Sequence, residues 1–207
     1  MLDILFALPP ERFAAFLAGA LVVNFAPGQD MVFATACGIS GGPRVGALAG
    51  LGAGTGVLWH VALAAFGVSA VIAAHPEALT LIRWIGAGYL AWLAVKSWRA
   101  GGGLAQGRGT PSGWQAWRRG VLSNVLNPKP VLFVLAFLPQ FVDPTAGPVW
   151  QQIVALGLTF AFTGTLVTMM YGIVAGYAGR ALAARMGAVN KIAAVLFAAL
   201  AARLMWN

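Results

Sequence analysis

Apolar residues run along this chain in stretches of membrane length, and the polar residues gather between them. A bilayer-spanning helix takes ~20 predominantly apolar residues, and six stretches reach that length. They extend from about Phe13 to Ser40, Val45 to Ala74, Leu79 to Trp98, Gly120 to Val142, Val149 to Gly179 and Ala188 to Trp206. The second and fifth carry no charged residue, and both are long enough that they must tilt or take in part of a loop. In the third and sixth the charges, Arg83, Lys96, Lys191 and Arg203, sit near the ends, where long stems snorkel to the interface.

Two of the six stretches are broken in the middle. The first break reads Asn24-Phe25-Ala26-Pro27-Gly28-Gln29-Asp30, and the other reads Asn124-Val125-Leu126-Asn127-Pro128-Lys129-Pro130. Proline removes a backbone donor and clashes with the preceding turn, so a helix is interrupted there. In lipid the freed backbone groups need partners, and such breaks survive only where protein or a wet cavity surrounds them. Between the third and fourth stretches, Arg99 to Gly113 holds six glycines in fifteen residues, the composition of a flexible linker. It divides one membrane domain, 1–207, into repeats of about 13–98 and 114–206. Each repeat opens with a broken helix and closes with two ordinary ones. Three spans per half is an odd number, so the second half inserts upside down. The predicted fold is an all-α polytopic membrane protein: six transmembrane helices in a 3+3 inverted repeat, with discontinuous first and fourth helices.

Composition agrees. The chain is 60% hydrophobic and 9% charged, against about 25% charged in a soluble domain. The net charge of +8 does not point to nucleic acid, because the basic residues sit at segment ends instead of in a run with interleaved aromatics. On the six-span arrangement, one side receives Arg44, Lys96, Arg99, Arg108, Arg118, Arg119, Arg180, Arg185 and Lys191. The other receives Arg12, Arg83 and Arg203, with Asp3, Glu11, Glu77 and Asp143. Nine against three puts the linker in the cytoplasm and both termini in the periplasm. The lone Cys37 excludes an internal disulfide. No basic n-region of a cleavable signal peptide precedes the first stretch.

Glycines at helical spacing, Gly46, Gly50, Gly52, Gly54 and Gly56 in the second span and Gly172 and Gly176 in the fifth, let helix backbones approach closely. Packing within the chain is the favoured reading of these faces; a homodimer interface is the other. Trp98, Trp114, Trp117, Trp150 and Trp206 fall at interfaces, where aromatic belts form.

Asp30 and Lys129 are the deep ionisable residues, together with His60. Counted at ~1.5 Å per residue, both charges lie near the midplane. An intramembrane charge costs at least ~2.5–3.5 kcal/mol and usually has a role. A structural ion pair is the plainer reading, but a simple lock does not need a broken helix at both sites. Half-helix ends offer N–H groups to a carboxylate and carbonyls to an ammonium. Asn24, Gln29, Asn124 and Asn127 supply donors and acceptors. With Pro27, Gly28 and Pro128 shaping the breaks, the set is complementary to a zwitterion, an amino acid being the obvious one. No second buried acid is present for a side-chain cation, which disfavours lysine or arginine. Proton coupling falls to Asp30 or His60; a packing role beside Trp59 suits His60 equally well. The sequence holds no nucleotide loop, nucleophile–base pair or metal-ligand cluster, so neither an enzyme nor a cofactor is expected.

At these residues the chain resembles the LysE/RhtB family of bacterial amino-acid exporters. Pro27-Gly28-Gln29-Asp30-Met31-Val32-Phe33 is similar to the family's Pro-Gly-Pro-Asp signature, with Gln29 in place of the usual second proline. Gly120 through Asn127-Pro128-Lys129 is similar to its Gly…Asn-Pro-Lys signature. Leu132-Phe133, Phe137 through Val142, Gly86-Ala87-Gly88-Tyr89-Leu90 and Trp92-Leu93 match as well. The resemblance implies an inner-membrane amino-acid exporter powered by the proton motive force. Two other classes fit six spans with paired breaks. A passive half-helix channel for small solutes would give unsaturated, pH-independent flux. A membrane scaffold with no solute would tolerate Asp30→Ala.

Overall fold

A computed structural model of the chain describes residues 8–75, 77–100 and 109–206. All of its regular structure is helical. Helix α1 (Pro10–Phe25) begins on a proline at its first turn, where the missing N–H costs nothing. It stops at the Pro27 break, and α2 (Gln29–Gly41) resumes at a bend of 50°. Gly42, at φ +84°, makes the reversal into α3 (Pro43–Leu63), a backbone angle that favours glycine. Helix α3 runs on through a wide π-helical turn, Ala64–Val68, and a last stretch, Ser69–Ala74. Helix α4 (Ala78–Arg99) leads to the linker. Helix α5 (Gly113–Val125) ends at the second break, and α6 (Pro128–Leu132) leaves it at 48°. A second π-helical turn, Phe133–Phe137, and a tight turn, Leu138–Phe141, extend α6. Helices α7 (Val149–Ala178) and α8 (Arg185–Trp206) follow, separated by non-helical backbone at Ala178.

Four helices are long and apolar enough to span a bilayer alone, and the two bent pairs each reach that length together. Boundaries agree with the sequence pattern except at the fourth span. It begins at Gly113, seven residues before the expected Gly120. Ser112 caps the helix by accepting from the Gln115 N–H. The added turns carry Trp114 stacked on Trp117, with Arg118 over the Trp114 ring. That is an amphipathic interfacial entry, too polar for hydropathy to count as membrane. Residues 101–108 of the linker, with Arg108, and the N-terminal segment bearing Asp3 lie outside the described residues.

The glycine faces pack inside the chain. A Cβ placed on Gly46 would strike the Gly172 carbonyl, one on Gly50 the backbone of Met169, and one on Gly54 the side chain of Thr165. The partner numbers fall as the α3 numbers rise, so α3 and α7 run antiparallel. On the neighbouring face Gly52 rests on Trp117 and Gly56 on Asn124, so α3 and α5 run parallel. Gly46→Val is expected to lower the unfolding midpoint in detergent by many degrees, because main chain cannot move aside. Gly88→Ala has open space around it and helix propensity in its favour. It should leave the midpoint unchanged or raise it. A thermal scan by size-exclusion chromatography separates the two.

The main core joins Phe16, Phe133, Phe137, Phe160 and Phe197 from four spans. Outside it, Trp59, Phe66, Leu81 and Phe162 are exposed, the surface expected of a protein solvated by lipid. At the end of the bundle formed by the starts of α1 and α7, Arg12 binds Asp143 at 3.1 Å. The hydroxyl and N–H of Thr145, then the Arg12 guanidinium, hold the Asp143 carboxyl below the usual carboxylate range.

Candidate functional site

The two breaks meet. Two carbonyls at the end of α1 find donors from distant spans. The Tyr171 hydroxyl on α7 donates to the Phe25 carbonyl at 3.2 Å. The Lys129 ammonium on α6 donates to the Ala26 carbonyl. A cation at a helix C-terminus is favoured by the helix dipole as well as by the hydrogen bond. Gly28, the residue before α2, lies against the Lys129 stem, and a Cβ there would crowd it at 3.2 Å.

Asp30 occupies the first turn of α2, where a carboxylate suits the helix dipole. Its Oδ2 accepts from Asn124 Nδ2 at 2.8 Å and Asn127 Nδ2 at 2.9 Å, and its Oδ1 accepts from the Ser123 hydroxyl at 3.3 Å. Asn127 also works in a second direction, because its Oδ1 takes the Lys129 N–H and so caps α6. One amide thereby joins the carboxylate of one break to the helix start of the other.

A direct Asp30–Lys129 ion pair, the plain expectation from two opposite charges, does not form. Among the described residues the ion pairs are Arg12–Asp143 and His75–Glu77. The cause is local. Lys129 is taken by the Ala26 carbonyl at the end of α1, and Asp30 by the side chains of Ser123, Asn124 and Asn127.

The remaining residues singled out by sequence fall around this centre. Asn24 donates to the Thr163 hydroxyl at 3.0 Å and ties α1 to α7. Gln29 reaches the Ser123 hydroxyl at 3.2 Å from an exposed position. Pro27 and Pro128 form the bends themselves. His60, buried on α3, has Nε2 3.1 Å from the Asn124 main-chain carbonyl, so that nitrogen carries the hydrogen. His60 thus touches the backbone of a residue whose side chain holds Asp30. Asn124 Oδ1 is buried without a partner. Sequence reading missed Ser123, Thr163 and Tyr171. A lone Ser, Thr or Tyr in an apolar span carries no signal of its own.

Three cavities bear on the centre. At the centre, a space of about 40 Å³ is bounded by Asn24, Asp30, Asn124, Lys129 and Phe160. That holds water but not an amino acid. On the linker side a vestibule of about 630 Å³ ends at Gly28, Asn127 and Lys129. Its walls include Tyr89 stacked on Trp92, Lys96 over the Trp92 ring at 4.7 Å, and Met186. On the opposite side a cavity of about 370 Å³ is floored by Phe137 and Phe141.

Comparison with known proteins bears on what this arrangement does. No solved structure matches the chain. An uncharacterized membrane protein of Vibrio cholerae is 37% identical over 80% of this chain and 82% of its own length. A homoserine/homoserine lactone efflux protein of Salmonella typhimurium is 32% identical over 80% of this chain and 81% of its own. A leucine efflux protein of Klebsiella pneumoniae is 29% identical over 93% and 94%. The family description "LysE type translocator" matches residues 21–207, a stretch that includes both breaks and every residue of the centre. The chain belongs to the LysE type translocator family, whose members are transporters and not enzymes.

Proposed function

We propose that this protein exports neutral amino acids, such as threonine, homoserine or leucine, outward across the bacterial inner membrane in exchange for protons. One observation carries the reading: Asp30 and Lys129 stand at crossed helix breaks, each satisfied by exchangeable neutral partners instead of by each other. Both are therefore available to a zwitterion. Lys129 leaves the Ala26 carbonyl for the substrate carboxylate, and the substrate ammonium takes that carbonyl together with Asp30. Relatives named for homoserine and leucine efflux support a neutral side chain, as does the lack of a second acid at the centre.

The return step uses a proton on Asp30. A carboxylate is an acceptor only, whereas its protonated form needs one acceptor in return. Asn124 Oδ1, buried and unpartnered, provides it after a half-rotation of the amide. His60, bonded to the same residue, is the neighbouring group through which a proton would pass.

The matched bends of 50° and 48°, and the parallel course of α5 with α3, support an inverted pair of repeats joined by a cytoplasmic linker. Both termini then face the periplasm, and the large vestibule opens to the cytoplasm. Cysteines placed at Ala100 and Thr145, in a Cys37→Ser background, should react with an impermeant thiol reagent only from the cytoplasmic and only from the periplasmic side, respectively. Uptake into inside-out vesicles tests function directly. An imposed pH gradient should drive accumulation of threonine, homoserine or leucine; preference for lysine or arginine, or indifference to pH, would sink the proposal.

A further inference from the structure

On the proposed orientation just three basic residues fall on the outer side of the membrane: Arg12, Arg83 and Arg203. They come from the start of α1, the start of α4 and the end of α8, and all three line the outer cavity of about 370 Å³. Scattered charges left over from a positive-inside bias have no reason to converge. Their balance is not neutral. Asp143 engages Arg12 at 3.1 Å, while among the described residues no acid pairs with Arg83 or Arg203. Gln140 adds an amide to the wall, and Glu11 adds one carboxylate.

The cavity is also linked to the centre by ring contacts. Phe137, in its floor, stacks on Phe133 at 4.7 Å, and Phe133 stacks on Phe160 at 4.4 Å. Phe160 bounds the small central space that holds Asp30 and Lys129. A short aromatic stack therefore links the lining of the centre to that of the arginine cavity. Phe133 to Phe137 is also the π-helical turn of α6, a wide turn of the kind found at functional sites.

We infer that the arginine-lined cavity is an exit site that binds the carboxylate of the exported amino acid after it has passed the Phe133–Phe137–Phe160 barrier. The inference rests on the export reading and its orientation, and it deepens that reading by adding a second, outward site. Arg83 and Arg203 draw the carboxylate past the barrier, and Glu11 faces the ammonium. Arginine suits this role because its planar fork meets a carboxylate in two parallel hydrogen bonds. The same fork would also hold a lipid phosphate, so the source of the anion is part of the test.

The test uses the full-length protein in vesicles of neutral phosphatidylcholine. Exchange of external for internal substrate is followed in the wild type and in Arg83→Gln/Arg203→Gln. The half-saturating substrate concentration on the arginine side should rise about tenfold, equivalent to ~1.4 kcal/mol of lost binding. The value on the vestibule side should stay as in the wild type. Arg83→Lys/Arg203→Lys, which keeps the charge without the fork, should fall between. An equal rise on both sides, or none, overturns the inference. So does an effect that appears only when phosphatidylglycerol is added, since the cavity would then be a lipid site. Absence of exchange in the wild type would instead count against the export reading itself.

Discussion

Asp30→Asn should reduce proton-driven net efflux to the level of protein-free vesicles while leaving substrate exchange measurable. The substitution keeps the shape of the side chain and removes the carboxylate bound by Ser123, Asn124 and Asn127. It also puts an amide donor where two amide donors already converge. Asn124 can answer by turning its unpartnered oxygen toward the new donor, so the fold should survive. Counterflow of labelled substrate, with no pH gradient, reads the exchange; acid-driven efflux from the same vesicles reads the coupling. If Asp30→Asn retains full proton-driven efflux, Asp30 is not the coupling group, and His60, one residue removed through Asn124, takes its place as the candidate.

Lys129→Met should abolish both net efflux and exchange. The loss of a charge-assisted contact to the substrate carboxylate, worth ~1.5–3 kcal/mol, weakens binding by ~10–100-fold. The stability cost should be modest. Had Lys129 been the sole partner of Asp30, its removal would leave a buried orphan charge, at ~3–5 kcal/mol. Asp30 instead keeps all three of its donors. The group orphaned is the Ala26 carbonyl, and an unsatisfied buried carbonyl costs ~1–3 kcal/mol. A melting curve that drops no more than this, beside lost binding, separates the two accounts. A variant that exchanges substrate normally would remove Lys129 from the site.

The breaks were legible because proline and paired amides stand out against an apolar background, and their consequence for the helices is local. The glycine faces were legible for a similar reason: small residues at i and i+4 leave a groove into which a neighbouring helix can press closely. The partners of Asp30 and Lys129 were not. Which atoms they reach depends on the bend at each break and on the rotation of α5 about its axis, and neither is written in residue type. The same holds for Tyr171, which closes the end of α1 from a helix more than a hundred residues away. The start of α5 escaped because its first turns are held by Ser112 and by aromatic stacking, and not by burial in lipid.

The contact between α3 and α7 has a mechanical consequence. Where Gly46 meets Gly172 and Gly50 meets Met169, main chain rests on main chain. No side chain lies between that could change rotamer and absorb a displacement. Such a pair moves as one rigid body or not at all, and Gly38 and Gly176 extend it to α2 and Pro43. The opposing pair, α4 and α8, meets the other way. Lys191 reaches the Trp98 carbonyl and lies 4.1 Å from the Trp98 ring, contacts made by long, pivoting side chains. Amide hydrogens along α3 and α7 should therefore be the last in the molecule to exchange with solvent deuterium, and those along α4 and α8 should exchange sooner.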